Sequence, residues 1–229
     1  MNTVSEEIRN ARPVGPTALT LGVFDGVHLG HVSIVKTLNR DAKELGVTPV
    51  ALTFANHPLL VLKPETQIKE LTSLEDRISL LNEAGAEYVI PIQFTKDVSI
   101  LTAEDFIVLL KKELDLKHLV IGPNFALGNK RRGTASVLKK MGEEIGFTVK
   151  VVDPHLVDST VVSSSVIRQA LGIGDFPTVS SMLGRHFSLK GTVVRGEGRG
   201  GKELGFPTCN LSLLETQTLP NDGIFAAWA

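Results

Sequence analysis

Gly22-Val23-Phe24-Asp25-Gly26-Val27-His28-Leu29-Gly30-His31 is the stretch that decides how this chain folds. It closes a buried-strand pattern running from Ala18 to Phe24, turns on three glycines, and opens a helical pattern over Gly30 to Leu45. In that helix Ile34, Leu38, Ala42 and Leu45 recur at three or four residues and make one apolar face. Glycines let an anion approach backbone N–H groups, and the helix start adds partial positive charge. His28 and His31, three apart at that start, face the same space. Phosphoryl or nucleotidyl transfer needs donors aimed at charge developing on phosphate oxygens, and two imidazoles beside a helix N-terminus supply them. A glycine turn carrying two surface histidines fits the spacing equally well. A zinc site fits less well, because no cysteine or patterned histidine partner stands nearby in sequence.

Outward from this stretch the pattern repeats. Val47 to Phe54, Tyr88 to Ile92, His118 to Ile121 and Phe147 to Val152 read as strands. Helical patterns lie between and after them. One runs from Leu74 to Ala84, with Thr72 and Glu75 spaced as a capping box. A second, capped by Thr102, carries Phe106, Leu109, Leu110 and Leu114, and others span Thr134 to Ile145, Ser164 to Leu171 and Asp175 to Leu183. Strands alternating with helices predict an α/β fold with a doubly wound parallel sheet, covered on both faces, whose ligands bind beyond the carboxyl ends of the strands. From Arg185 the pattern changes. His186 to Arg195 alternates like a strand, a glycine-rich stretch follows, and Ile224 to Trp228 reads as a further strand. The expected division is therefore residues 1–184 and residues 185–229.

Three more segments leave strands and carry chemistry. Val162-Ser163-Ser164-Ser165-Val166-Ile167-Arg168 sets Ser164 and Arg168 on one helical face near its start, where hydroxyls, free N–H groups and a guanidinium make a polyphosphate clamp. A serine N-cap followed by a surface arginine is the plainer account. In Gly122 to Gly133, Asn124 offers hydrogen bonds to a nucleotide, Phe125 and Leu127 offer apolar contact, and Lys130 to Arg132 read as a solvated basic turn. Thr53-Phe54-Ala55-Asn56-His57-Pro58 also leaves a strand, with Phe54 a core candidate and His57 a turn candidate. All four segments fall at the carboxyl ends of alternating strands, on one rim of one sheet. Gly196, Gly198 and Gly201 match the dinucleotide fingerprint, but Gly205 and Pro207 bar the helix that must follow it.

Composition narrows the class. The chain has 229 residues, 42% hydrophobic and 21% charged, with a formal net charge of −1, so no global field favours nucleic acid or an acidic membrane. Cys209 is the single cysteine, which excludes an intrachain disulfide and fits a reducing compartment. Met1 to Arg12 has no apolar signal core, and no apolar run approaches the ~18 residues of a membrane span. A cytoplasmic protein is expected. The sequence does not report oligomeric state.

These motifs closely resemble the prokaryotic bifunctional riboflavin kinase/FAD synthetase family, from residue 18 onward. The adenylyltransferase motif of form GxFDGxHxGH stands at Gly22 to His31, and the SSxxIR-type motif at Ser164 to Arg168 with Ser163 before it. Thr53-Phe54…His57-Pro58, Gly122…Asn124-Phe125…Gly128…Arg132-Gly133 and Leu183-Gly184-Arg185 identify the flavin branch. Gly205-Phe206-Pro207-Thr208-Cys209-Asn210 resembles the GFPTAN segment that begins a riboflavin kinase β-barrel, with Cys209 in place of alanine.

The resemblance implies a Rossmann-like nucleotidylyltransferase domain followed by the incomplete start of a kinase barrel. It implies transfer of AMP from ATP to FMN, giving FAD and pyrophosphate, with magnesium accompanying ATP. It implies catalytic roles for His28, His31, Ser164 and Arg168, with ATP also held by Gly22, Phe24, Asp25, Gly26, Gly30, Asn124, Ser163 and Ser165. It places Phe54, His57, Pro58, Asn124, Phe125 and Leu127 at the flavin, and Thr208 and Asn210 at magnesium and phosphates in the kinase portion. Asn56 departs from the family's usual proline and Leu127 from its common phenylalanine. Because 45 residues cannot close the barrel, riboflavin phosphorylation by this chain is not expected. Two rival readings keep the same nucleotide site: transfer to another phosphate acceptor, such as phosphopantetheine or a phosphorylated polyol, and a non-catalytic nucleotide- or flavin-binding module.

Overall fold

The computed structural model describes residues 2–196 and 209–229. Five strands form a parallel sheet: β1 (Thr17–Gly22), β2 (Thr48–Phe54), β3 (Tyr88–Ile92), β4 (Leu116–Ile121) and β7 (Thr148–Val151), in the order β3-β2-β1-β4-β7. That order reverses between β1 and β4, which opens a crevice above their carboxyl ends. Ala18, Leu19 and Leu21 on β1 and Val50, Ala51 and Leu52 on β2 are buried, as strands covered on both faces require.

Helices α2 (Leu29–Leu45), α4 (Leu74–Glu83), α6 (Ala103–Leu114), α7 (Ala135–Ile145), α8 (Ser164–Gly172) and α9 (Phe176–Leu183) stand where the periodicity predicts them. Two details differ. The buried residues of α2 are Val35, Leu38, Asp41 and Ala42, while Leu45 is exposed beside the left-handed Gly46 cap. Asp41 tolerates burial because its carboxylate meets the His118 ring on β4 and the neighbouring Arg40. The cap of α4 is Ser73, which accepts from the Asp76 N–H, so Thr72 and Glu75 do not form the expected box.

Several short elements escape sequence periodicity: α1 (Asn2–Ala11), α3 (Pro58–Leu62), α5 (Lys96–Ile100), the hairpin β5 (Ala126–Leu127) with β6 (Gly133–Thr134), and the hairpin β8 (Leu156–Val157) with β9 (Thr160–Val161). Helix α1 buries only Val4 and Ile8 in its described part, a stripe too narrow to announce itself, and is fastened by Arg9 and Ser5 to the buried Glu113.

Beyond α9 the chain forms an antiparallel pair, β10 (Gly191–Val194) and β11 (Asn210–Leu213), with no closed barrel among the described residues. The strand expected over Ile224 to Trp228 is absent from the structure. Ile224 and Trp228 are fully exposed, and no described strand pairs with that segment.

Candidate functional site

The turn after β1 is tightly constrained. Phe24, Gly26 and Val27 all have positive φ, at 51°, 82° and 36°. Two of these are ordinary L-residues, so the surroundings must hold the turn against its own preference. A Cβ on Gly26 would sit 2.9 Å from the Leu71 Cδ1, so the turn needs glycine for both its dihedral and its space.

The constraint comes from three remote segments. Buried Asp25 accepts through Oδ1 from the N–H groups of Leu71 (2.8 Å) and Thr72 (3.2 Å), and through Oδ2 from the Arg168 guanidinium. Its backbone carbonyl accepts from the Ser164 hydroxyl at 2.8 Å, and the Gly26 N–H donates to the Thr72 hydroxyl at 3.1 Å. Arg185 donates to the carbonyls of Gly26 (2.6 Å) and Val27 (3.1 Å). Arg168 also donates through Nε to the Lys69 carbonyl at 3.1 Å. The chain folds so that β1, the Lys69–Thr72 segment, α8 and the start of the C-terminal portion meet at three residues.

His28 caps α2, its Nδ1 accepting from the His31 N–H at 3.3 Å, and the two rings stack with centroids 3.6 Å apart. Phe24 meets His31 edge-on at 5.2 Å. Burial pushes the His28 imidazolium down to about 4, and burial, then His28, then the Arg77 charge hold His31 well below its ordinary value. Both rings are therefore neutral at pH 7 in the ligand-free chain. With Nδ1 of His28 accepting, its proton resides on Nε2. The Nδ1 of His31 is enclosed and has no hydrogen-bond partner among the described residues. A Cβ on Gly30 would lie 3.1 Å from the His28 ring and 3.7 Å from the Val162 carbonyl, so the start of α2 lies against the segment leading into α8.

On the other side of Gly22 and Val23 opens a cavity of about 820 Å³. All six residues expected at a flavin (Phe54, His57, Pro58, Asn124, Phe125 and Leu127) line it. Phe94 joins them, edge-on to Phe54 at 5.1 Å, and Asn56 fixes Phe94 by donating to its carbonyl (3.0 Å) and accepting from its N–H (2.8 Å). Asn56 thus shapes the wall from behind. Such a chamber, mostly apolar with a few polar residues such as Asn124 and Arg131 in its wall, suits a planar heterocycle. His57 lines the cavity, and its pKa is lowered by burial while Asp25, Arg168 and Arg77 also act on it. His57 thus belongs to the cavity wall and feels the charges of the turn.

The structure therefore brings Gly22, Phe24, Asp25, Gly26, His28, Gly30, His31, Ser164 and Arg168 into one neighbourhood. Asn124 stands at the cavity instead, Ser163 caps α8 by accepting from the Val166 N–H, and Ser165 is exposed. Arg131 reaches back to the Asn124 carbonyl and lines the cavity, so the basic turn is not merely solvated. Asn210 is exposed on β11, whereas Thr208 lies outside the described residues. Sequence reading missed Thr72, Arg77 and the Arg185 side chain's grip on the turn. Arg77 is fully buried on α4, donating to the Phe54 carbonyl (2.7 Å) and to Glu70 (2.9 Å).

No helix among the described residues is long and apolar enough to cross a membrane, and none of their His, Cys, Asp and Glu side chains gather in threes as metal ligands. A family model described as FAD synthetase matches residues 12–166, and one described as riboflavin kinase matches residues 183–229. A bifunctional riboflavin kinase/FMN adenylyltransferase from Listeria monocytogenes is 34% identical over 209 residues, covering 91% of this chain and 66% of that protein. Its counterpart in Escherichia coli K12 gives the same figures, and that of Bacillus subtilis is 34% identical over 218 residues, covering 93% and 67%. This chain thus spans about two thirds of these relatives' length. Among solved structures, a Streptococcus pneumoniae protein described as a macrolide-efflux protein superimposes with a TM-score of 0.84 at 28% identity, over 94% of this chain and 70% of that one.

Proposed function

We propose, for a chain that belongs to the bifunctional riboflavin kinase/FMN adenylyltransferase family, that its parallel-sheet portion transfers the adenylyl group of ATP to FMN, giving FAD and pyrophosphate. One observation carries this reading: the apolar cavity and the anion-suited turn share the end of β1, where Gly22 and Val23 line the cavity and Phe24 to His28 continue into the turn. A flavin in the cavity would project its phosphate toward a triphosphate laid against the turn and the start of α2. The division into residues 1–184 and 185–229 belongs to the same proposal. The two family models, one ending at residue 166 and the other beginning at residue 183, support it.

The reaction needs little covalent chemistry from the protein. An FMN phosphate oxygen, already anionic at neutral pH, attacks the α-phosphorus of ATP, and the bond from that phosphorus to the oxygen bridging to the β-phosphate breaks. Pyrophosphate leaves with the electron pair. Catalysis is then positioning plus stabilisation of charge in flight. His28 and His31 would enter as neutral rings. Their N–H groups donate to phosphate oxygens, and the arriving anion raises their proton affinity. Ser164 and Arg168 would act first by holding the Asp25 turn in its strained form.

A magnesium ion supplies charge neutralisation to a triphosphate. The one buried carboxylate at the turn, Asp25, is already committed to Arg168 and two N–H groups, so the residues present do not form a dedicated metal cage. The ion would be borne by phosphate oxygens and water.

The test is pyrophosphate release by the purified chain given ATP with FMN, and separately ATP with 4′-phosphopantetheine. Release with FMN alone is expected. No release with FMN, or faster release with the other acceptor, would overturn the reading.

A further inference from the structure

We infer that Thr218 is a positioning residue for the nucleotide site, acting through the main chain of Lys69 to Thr72. This rests on the adenylyl-transfer reading of the site. Lys69 to Thr72 holds Arg168 from two directions at once: the Lys69 carbonyl accepts from Arg168 Nε, and the N–H groups of Leu71 and Thr72 fix the carboxylate that accepts from the other end of the same guanidinium. The Thr72 hydroxyl also holds the Gly26 N–H. Whatever fixes these four residues therefore fixes both the strained turn and its arginine.

The C-terminal portion does so. Glu70 donates its N–H to the Thr216 carbonyl at 2.7 Å and accepts from the Thr218 N–H at 2.8 Å, a parallel bridge centred on Glu70 and Gln217. The Thr218 hydroxyl donates to the Lys69 carbonyl at 2.9 Å, so one carbonyl oxygen takes both Thr218 and Arg168. Thr218 is only 8% exposed in a stretch whose neighbours are largely solvated, so its hydroxyl is committed to this contact. The inner edge of the segment carries the site, and its outer edge is paired to residues that lie within the riboflavin-kinase match, 183–229. The two portions of the chain are joined at the arginine's own anchor.

Valine at 218 keeps the shape and removes the donor, and serine restores it. In the whole chain, Thr218→Val is expected to raise the dissociation constant for Mg-ATP about three- to tenfold, the weight of one buried hydrogen bond transmitted to the site. FMN binding measured by fluorescence quenching should stay unchanged, because Thr218 bonds to Lys69 and Glu70, neither of which lines the cavity. KM for ATP should rise more than kcat falls, and Thr218→Ser should recover most of the loss. Equal ATP affinity in the wild type and Thr218→Val, or a loss that serine does not rescue, would overturn the inference. A wild-type chain that binds FMN but shows no Mg-ATP binding would overturn the adenylyl-transfer reading itself, and this inference with it.

Discussion

The guanidinium of Arg168 closes on the buried carboxylate of Asp25, 143 positions earlier in the chain. The pair sits under a turn with three positive φ angles, and the second arm of the arginine is taken up by Lys69. The arginine is thus first a brace and only then a source of charge for a ligand.

That ordering predicts how the two partners fail. Asp25→Asn leaves the guanidinium without its counter-charge and the Leu71 and Thr72 N–H groups with a weaker acceptor. Loss of one partner from a buried pair costs roughly 3–5 kcal/mol, an upper figure here because Arg168 is partly solvated. The expected result is a clear fall in the urea midpoint and a drop of at least tenfold in FAD formation. An Asp25→Asn protein of wild-type stability and rate would show that the pair does not brace the turn.

The buried histidines predict a pH dependence. Burial lowers the His28 pKa from 6.5 to about 4, and burial, then His28, then Arg77 hold His31 well below its ordinary value. The unfolded chain takes up these protons near pH 6.5, but the folded chain resists. Stability is therefore fully present above pH 6.5 and declines as the pH falls from 6.5 toward 4, by up to about 3 kcal/mol from His28 alone. Denaturation of the ligand-free protein at pH 7 and pH 5 should show this loss, and His28→Gln should reduce it. Bound triphosphate favours the protonated rings, so the ATP-saturated protein should lose less between the same two pH values.

Behind the cavity wall, Asn56 makes two hydrogen bonds to the Phe94 backbone, one as donor and one as acceptor. Alanine at 56 frees Phe94 from its edge-on packing with Phe54 and loosens the wall without touching the turn. FMN affinity should weaken about three- to tenfold while the KM for ATP holds. Fluorescence titration with FMN beside ATP kinetics separates the two, and parallel losses would place Asn56 in both sites.

The legible part of this molecule is what periodicity and spacing encode. The strand, glycine turn and helix start at residues 18–45 are read from the motif, and the alternation to Leu183 yields the sheet. The six cavity residues are assigned to a flavin through family resemblance, because an isolated Phe54 reads equally well as core and His57 as a turn residue. What sequence did not disclose are contacts between side chains and distant backbone. Thr72 looks like a helix cap but holds Gly26, since Ser73 performs the capping. Arg77 reads as one more charge on an amphipathic helix, yet no part of its side chain reaches solvent. Ile224 to Trp228 has strand composition without a described partner, and propensity alone forms no strand.

Arg77 carries the last prediction. Its two amino groups reach the Phe54 carbonyl at the end of β2 and the Glu70 carboxylate, joining the cavity rim to the segment that holds Asp25. The Glu70 side chain is largely buried, and burial raises its pKa while Arg77 opposes that rise. Methionine at 77 would keep most of the volume but strand both acceptors, which predicts a loss of roughly 3–5 kcal/mol in urea unfolding. Replacing Glu70 by glutamine as well should recover part of it, because an amide needs no counter-charge. The electrostatic consequence is independent of stability: Arg77 lowers the proton affinity of both His31 and His57. In Arg77→Met the His57 ring resonance should titrate at a higher pH than in the wild type. An unchanged His57 titration in a folded variant would mean that the Arg77 charge is screened from the His57 ring.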